Sequence, residues 1–380
     1  MNEDPETLPS AQALRQAFDQ ARPHTVGIED EVMLLDPQEH HLLACAPDVL
    51  ALLDGDARFK LELPASQLEV VTPPVMSVSQ AAQLLLSGRE ELARRCQGRA
   101  RLAAAGAHPF SPGDGELNPL PRYRHTILEY GGVARRQLVC ALQVHVAPGD
   151  ADQALIIYNA ARSYLPLLAA LAANAPFYEG RDTGLASIRP VLCQLLPRQG
   201  VPPAIESWEE FAGDLSWGSL TGSFGPGAWW WELRPHRRFG TLEFRVPDGQ
   251  SSAGDAGALA AVIQALVAWL GLRHRAGEAL EVVPDWRIAE NRWSACRHGV
   301  EGRMADLQTG RVAPTRECLH ELLDALEPLA ASLGSSSHLT QARELVERNG
   351  AIRQRHVAGQ QGVAGVAAWL AERFLEPLPG

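Results

Sequence analysis

Two glutamates separated by a single residue, Glu29 and Glu31, are the clearest indication of chemistry in this sequence. Alternate side chains of an extended strand point to the same face, so these two carboxylates could share or bridge a divalent cation. Oxygen ligands of this kind suit Mg²⁺ or Mn²⁺, which complete their coordination with water and substrate phosphates. For an isolated pair, a solvated strand face is the alternative explanation.

Three further segments bring similar side chains to the polar face of a strand, namely Glu69, His145 and Glu243. Like charges on adjacent strands destabilise a sheet, so this many carboxylates on one face predict a cation among them. Two or three metal ions in such a cluster could hold ATP phosphates and neutralise the charge that develops in phosphoryl transfer. The side chains that could share this polar face with a cation are Glu29, Glu31, Glu69, His145 and Glu243.

Arginines supply most of the basic side chains, because Lys60 is the only lysine in the chain. A Walker A loop needs a Gly-Lys pair, so phosphate would have to be bound by arginines, backbone amides and metal ions. Glu243 and Arg245 share a strand face, either as a simple ion pair or as a metal ligand beside a phosphate-binding guanidinium. The predicted catalytic residues are Glu243, Arg245 and Arg189, and the predicted nucleotide contacts are Arg245, Arg234 and Arg136.

Four segments with alternating apolar and polar residues are predicted to form the strands that position these side chains: 25–35, 66–72, 138–146 and 241–246. This alternation is typical of an antiparallel sheet with one face on a hydrophobic core. Helices predicted over 77–105, 152–173 and 255–275 would cover the apolar face, and the chain beyond Arg311 is also predicted to be helical. The fold class is therefore α+β.

Three glycine- and proline-rich segments, 109–121, 174–190 and 216–228, are predicted to be long loops, the first two of them candidate lids. The three tryptophans at 229–231 favour core packing over adenine stacking.

Composition restricts the partners and the compartment. The chain has 380 residues, of which 46% are hydrophobic and 21% charged, and its net charge is −11. An acidic globular protein of this kind is not expected to bind nucleic acid or an anionic membrane, so small molecules are the expected partners. Six scattered cysteines and a polar N-terminal segment predict a cytoplasmic protein with reduced thiols, and the apolar run 256–272 falls short of a membrane span.

Seven blocks of the sequence, in order, resemble the carboxylate-amine ligases of the glutamate-cysteine ligase type 2 family. The blocks are GIEDEVMLLD, ELPASQLEVVTPP, AAAGAHPF, ARRQLVCALQVHV, NAPFYEGRDTGLASIRP, WWWELRPHRRFGTLEFRVPD and AENRWSACRHG. The resemblance implies the glutamine-synthetase-like catalytic fold, shared with the guanido kinases, with the site on the concave face of a curved antiparallel sheet and helices on the other face. It also implies ATP and Mg²⁺, an accessory acidic role for Glu62 and a phosphate contact for Arg245. The metal ligands that it implies are Glu29, Glu31, Glu69, His145 and Glu243.

One residue departs from the family pattern. Family members commonly show HVHV where this chain has QVHV, so Gln143 replaces an imidazole. An amide is a poorer cation ligand than imidazole, and the change indicates an altered substrate or weakened activity. The run EDE also replaces EEE, but Asp30 is predicted to lie on the opposite strand face.

The predicted activity is ATP-dependent amide formation through an acyl phosphate, with L-glutamate and L-cysteine as the default substrates implied by the family. A guanido-kinase-like phosphotransferase and a catalytically weak nucleotide-binding protein remain alternatives. Residues 1–24 are predicted to form an N-terminal extension, 25–311 the catalytic domain, and 312–380 a helical part of the same domain. Apolar helical faces are compatible with a homodimer.

Overall fold

The computed structural model describes residues 8–220 and 229–378. The strands within these ranges are, in chain order, β1 (Val26–Leu35), β2 (Phe59–Leu61), β3 (Gln67–Val71), β4 (Arg101–Ala103), β5 (Leu142–Val146), β6 (Phe177–Tyr178), β7 (Arg181–Asp182), β8 (Leu233–His236), β9 (Thr241–Phe244), β10 (Arg303–Ala305) and β11 (Val312–Pro314).

Helices account for most of the remaining described chain. They are α1 (Ala11–Gln20), α2 (Ala46–Ala51), α3 (Val78–Cys96), α4 (Pro121–Tyr130), α5 (Ala151–Ala161), α6 (Leu165–Ala172), α7 (Arg189–Cys193), α8 (Trp208–Leu220), α9 (Ala253–Arg275), α10 (Asp285–His298), α11 (Thr315–Ser332), α12 (Ser336–Arg348) and α13 (Gly350–Arg373). Short 3₁₀ turns span Gly131–Arg136, Arg162–Tyr164 and Gly299–Glu301.

The main sheet is antiparallel and open, with the strand order β2-β3-β1-β5-β9-β8, and β4 pairs with the last residues of β1. The central strand β1 separates its residues by face, because Val26, Ile28 and Val32 lie in the core while Glu29 and Glu31 point away from it. The predicted α+β architecture is therefore confirmed. The predicted division of the chain into three parts stays a prediction, and residues 1–7 and 379–380 lie outside the described ranges.

Helices α3 and α9 pack against the apolar face of the sheet. Almost every residue of α9 from Ala253 to Gly271 is buried, which is why this helix lacks a polar face. Helix α3 approaches the sheet closely at Gly88, where an added Cβ would lie 2.7 Å from Val70 Cγ1. The helices therefore fix the sheet from behind and leave its polar face open for a site.

Two helical stretches, Ala151–Ala172 and Ala253–Arg275, are long and apolar enough to cross a membrane by length and composition. However, 72% and 89% of their most apolar windows are buried inside the protein, as expected for core helices.

Several predicted boundaries are wrong. The helix predicted over 77–105 ends at Cys96, and the chain returns as strand β4. The strand predicted over 138–146 begins only at Leu142, because the Ala141 amide donates to Glu31 Oε2 at 2.6 Å instead of joining the ladder. The hairpin β10–β11 was not predicted, since its two strands have three residues each and show no usable alternation.

The predicted loops differ from one another. Segment 109–120 contains no regular helix or strand, whereas 174–190 contains the short hairpin β6–β7 and the start of α7. Of the loop predicted over 216–228, residues 216–220 end helix α8, and 221–228 lie outside the described residues.

A fully buried ion pair joins the sheet to the helical layer. Asp30 lies on the core side of β1, as predicted, and its Oδ2 accepts from Arg89 Nε at 2.9 Å. Burial raises the pKa of Asp30, although Arg89 acts in the opposite direction. Arg89 also donates to the carbonyl of Gln250 at 2.9 Å and lies over the Phe374 ring at 4.6 Å, so it connects β1 to two distant segments.

We expect Arg89→Met to lower the free energy of unfolding by about 3–5 kcal/mol, because it leaves the Asp30 carboxylate buried without a counter-ion. Arg94→Met is the matched control on the same helix. The Arg94 side chain is 62% exposed and pairs only with Glu91 among the described residues, so its loss should cost less than about 1 kcal/mol. Urea denaturation of both variants measures the difference, and equal losses would contradict this role of Arg89.

Candidate active site

A cavity of about 860 Å³ lies over the polar face of the sheet. Its walls come from β1, β2, β3, β5 and β8, and from helices α4, α7 and α8. Seven of the residues predicted from sequence line it: Glu29, Glu31, Glu62, Glu69, Arg189, Arg234 and Arg245. The volume falls within the range usual for small-molecule sites.

The strand register brings the predicted ligands together. Glu31 lies opposite Glu69 in the β1–β3 ladder, and His145 lies opposite Glu243 in the β5–β9 ladder. His145 and Glu243 are buried on the same polar face but do not line the cavity directly. All five predicted metal ligands therefore share one face of the sheet, although only three of them reach the cavity wall.

Lys60 lies between two of these carboxylates. Its Nζ is 3.1 Å from Glu69 Oε2 and 3.7 Å from Glu29 Oε1. Burial opposes ionisation of Glu29, but His145 and Lys60 outweigh it and lower the pKa of this carboxyl to about 2. Glu69 behaves differently, because burial and repulsion from Glu29 and Glu62 raise its pKa well above the ordinary value. Glu29 is thus strongly favoured as the anion, whereas ionisation of Glu69 is unfavourable.

Glu243 is held by two arginines on the hairpin formed by β8 and β9. Arg234 donates from Nε and Nη2 to the two carboxylate oxygens at 2.6 and 3.0 Å, and Arg245 Nη1 donates to Oε1 at 2.6 Å. Burial alone would favour the neutral acid, but the two guanidinium groups lower the pKa of Glu243 well below its usual range. Glu243 is therefore ionised at neutral pH and keeps both arginines at the base of the cavity.

Gln143 occupies the position where the family commonly has histidine. Its Nε2 donates to Glu31 Oε1 at 2.9 Å, and its Oε1 accepts from Arg245 Nη1. The amide can donate on one side and accept on the other, so it connects an acidic and a basic side chain without changing its own charge. Glu31 also accepts from the Ala141 amide, and burial raises the pKa of its carboxyl.

His145 is suited to bind a metal. Its Nδ1 lies 3.0 Å from Thr241 Oγ1, which orients the ring, while its buried Nε2 has no hydrogen-bond partner among the described residues. That Nε2 is 3.7 Å from Glu29 Oε1. An imidazole oriented by a second partner and facing a carboxylate is a usual part of a metal site.

Within residues 8–220 and 229–378, no three acidic, histidine or cysteine side chains converge tightly enough to hold a metal ion. Lys60, Arg234 and Arg245 instead contact the carboxylates at 2.6–3.7 Å. The donor types suit a hard divalent cation, but the carboxylates here are paired with basic side chains of the protein.

Arg189 lines the cavity and Arg136 does not. Arg189 lines the cavity, but its guanidinium donates to the backbone carbonyls of Arg245 and Val246 at 2.7 and 3.2 Å. It therefore positions the segment that carries Arg245, and only its buried Nε lacks a partner in the described chain. Arg136 is exposed at the end of a 3₁₀ turn and is not among the described residues that line the cavity.

The sequence analysis did not identify every residue that lines the cavity. Glu232 lines the cavity and forms a buried pair with Arg292, whose Nη2 lies 2.7 Å from Glu232 Oε1. The spacing of Glu232 and Arg234, two apart like Glu243 and Arg245, was an available signal. Trp229 and Trp230 also line the cavity, and Trp229 packs against the hydrophobic core as well.

Solved structures of other proteins share this fold. A glutamate-cysteine ligase of Francisella tularensis, solved in complex with AMP, superposes with a TM-score of 0.67 at 12% identity, covering 94% of this chain and 90% of that one. A bifunctional glutathione synthetase of Pasteurella multocida gives a TM-score of 0.62 at 15% identity, covering 96% of this chain and 53% of that one. The fold of this protein is therefore that of the glutamate-cysteine ligases, as predicted.

Sequence comparison then identifies the family. Residues 25–365 match the family described as glutamate-cysteine ligase family 2. A Rubrobacter xylanophilus protein named "Putative glutamate--cysteine ligase 2-3" is 39% identical over 363 residues, covering 93% of this chain and 98% of that protein. A Gloeobacter violaceus protein named "Putative glutamate--cysteine ligase 2" is 33% identical over 351 residues, covering 90% and 94%. The chain belongs to glutamate-cysteine ligase family 2, which confirms the resemblance seen in its seven blocks.

The raised pKa of Glu69 generates a prediction about pH. A carboxyl whose pKa is higher in the fold than in the unfolded chain favours folding at low pH, and this contribution is lost as the pH rises through the folded value. We therefore expect Glu69→Gln to be more stable than the wild type at pH 8 in EDTA, by more than about 0.5 kcal/mol. The advantage should shrink as the pH falls towards 4.5, the ordinary pKa of glutamate.

Guanidinium denaturation of both proteins across this pH range measures the effect. Glu90→Gln, at an exposed position of α3, is the control and should follow the wild type at every pH. A Glu69→Gln protein that is less stable than the wild type at pH 8 would show that the Lys60 contact outweighs the burial of Glu69.

Proposed function

We propose that this protein is an ATP-dependent carboxylate-amine ligase that forms an amide through an acyl-phosphate intermediate. Membership of glutamate-cysteine ligase family 2 supports the ligase class. The single structural observation that supports it best is the ionised Glu243 between Arg234 and Arg245 at the base of the cavity. Such fixed charges can stabilise a transferring phosphoryl group because they need little reorganisation during the reaction.

ATP and Mg²⁺ are the proposed cofactors, with Mn²⁺ as the alternative ion. The AMP bound to the Francisella protein supports a nucleotide in this fold. The residues that would hold the metal are Glu29, Glu31, Glu69, His145 and Glu243, and Glu62 lines the same cavity as an accessory acidic residue. When bound, the divalent cation would neutralise the phosphates and the charge that develops on them.

The protein's own residues would bind and orient the reactants. Arg245 and Arg234 would contact the phosphates through guanidinium groups already aligned by Glu243, and Arg189 would hold the backbone of Arg245 in place. The substrate carboxylate oxygen would attack the γ-phosphorus of ATP and release ADP. The amine nitrogen would then attack the acyl carbon, lose a proton, and displace phosphate as the amide forms.

L-Glutamate and L-cysteine are the default substrates because the curated relatives carry glutamate-cysteine ligase names.

We further propose a cytoplasmic location, which agrees with six cysteines that are all free thiols. A homodimer is proposed only on the basis of exposed apolar side chains such as Trp286 and Trp293.

The test is ADP release with Mg²⁺, ATP and L-glutamate, scanned against L-cysteine and a panel of amines, with products identified by mass. ADP release that depends on the amine, together with a new amide mass, would establish the ligase. A phosphorylated product without an amide would indicate a phosphotransferase instead. No turnover despite Mg-ATP binding would indicate a nucleotide-binding protein without catalysis.

Two arginine variants separate the cavity from the surface. We expect Arg245→Met to lower kcat by about 10²–10³-fold, the usual effect of removing one preorganised charge from an active site. Arg136→Met should leave kcat and the ATP KM unchanged, because this side chain lies outside the described lining of the cavity. Thermal denaturation checks that Arg245→Met folds. An equal loss of kcat in both variants would indicate that Arg136 contacts the nucleotide after all. It would also argue against the role of Arg245.

A further inference from the structure

The strongest unexplained feature of the cavity is the position of the chain's single lysine. Strand β2 places Lys60 directly opposite Glu69 in the ladder. Its ammonium reaches over to Glu29 on the strand beyond, so one point charge contacts carboxylates from two strands at 3.1 and 3.7 Å. A divalent cation shared by Glu29 and Glu69 would need the same position.

The other carboxylates of this face are satisfied by different partners. Glu243 has two guanidinium groups, and Glu31 accepts from a backbone amide and from Gln143. Glu69 depends on Lys60, whereas Glu29 has both Lys60 Nζ and His145 Nε2 at 3.7 Å from its Oε1. Removing Lys60 without a replacement cation would therefore leave two mutually repelling carboxylates in a site where Glu69 is almost fully buried.

Lys60 is also more exposed than the two arginines that contact Glu243. Its side chain is 42% exposed, compared with 22% for Arg234 and 18% for Arg245. Arg234 contacts Glu243 through a two-pronged fork, whereas the lysine ammonium is a compact charge on a flexible four-carbon chain. The flexible lysine can therefore move aside once a divalent cation compensates the two carboxylates in its place.

We infer that Lys60 is a tethered counter-ion that occupies the cation position between Glu29 and Glu69 in the metal-free protein and is displaced when a divalent cation binds. This inference rests on the metal site of the proposed function. It accounts for the lack of a converged metal-ligand group among the described residues, because Glu29 and Glu69 are held by a lysine. The displaced ammonium would remain at the cavity wall, where Lys60 already lies.

The experiment measures binding of Mn²⁺ alone to the full chain by calorimetry after treatment with EDTA. Lys60→Met keeps the length of the side chain and removes its charge, whereas Lys60→Arg keeps the charge. Arg58→Met is the matched control, because Arg58 lies two residues away on the same segment and pairs with Asp56 instead. If Lys60 and the metal ion compete for one position, Lys60→Met should bind Mn²⁺ about five- to tenfold more tightly than the wild type. Lys60→Arg and Arg58→Met should show no gain.

A second measurement covers effects on folding. The metal-free Lys60→Met protein should melt at a lower temperature than the wild type. Its melting temperature should rise more on addition of Mn²⁺, because the bound cation then replaces the missing charge.

In the wild type, acylation of Lys60 by an N-hydroxysuccinimide ester should become faster when Mn²⁺ is added. The modified peptide identifies the site, since the chain has one lysine.

The outcomes separate this inference from the proposed function. If wild type and Lys60→Met bind Mn²⁺ with equal affinity, or the variant binds more weakly, Lys60 is not a competitor and the inference is wrong while the metal site stands. If neither protein binds Mn²⁺, the metal site of the proposed function fails and the inference fails with it. A gain of the same size in Arg58→Met would show a general charge effect and would also overturn the inference.

Discussion

The charge balance on one face of one sheet determines how this active site is built. A buried carboxylate is costly unless cations or hydrogen-bond donors compensate it, and Glu31, Glu69 and Glu243 are all buried on that face. Each neighbouring strand therefore contributes a compensating group: Lys60 from β2, Gln143 from β5 and Arg234 from β8. The sheet is held together across this face by these contacts as well as by its backbone ladders.

The apolar face makes this arrangement possible by fixing the strands. Helices α3 and α9 bury that face, and the Asp30–Arg89 pair connects β1 with the segment around Gln250 and with Phe374 at the end of the chain. A rigid backing matters because fixed charges are effective in catalysis only when the protein does not reorganise around a developing charge. The protein thus separates a packed supporting layer from a charged layer that can bind ligands.

The sequence alone could predict which side chains share the polar face of the sheet. It could not predict which of these side chains contact one another. Glu29 and Glu31 lie on a ten-residue strand, where period-two alternation is unambiguous, so the shared face followed directly. Lys60 and Arg234 lie on strands of three and four residues, too short to show a pattern, and their partners depend on non-local register. The backbone contacts of Arg189 carry no sequence signal at all, which is why it was expected to bind an anion directly.

Gln143 shows what the structure adds to a single departure from a family pattern. As a lost imidazole it indicates a weakened cation site, yet both ends of its amide are used, one by Glu31 and one by Arg245. A charged imidazole could donate on both sides but could not accept from Arg245, whereas the amide keeps one donor and one acceptor at any pH. Gln143 therefore holds Arg245 through an acceptor whose charge does not depend on pH, and the effect of the replacement on substrate or activity stays a prediction.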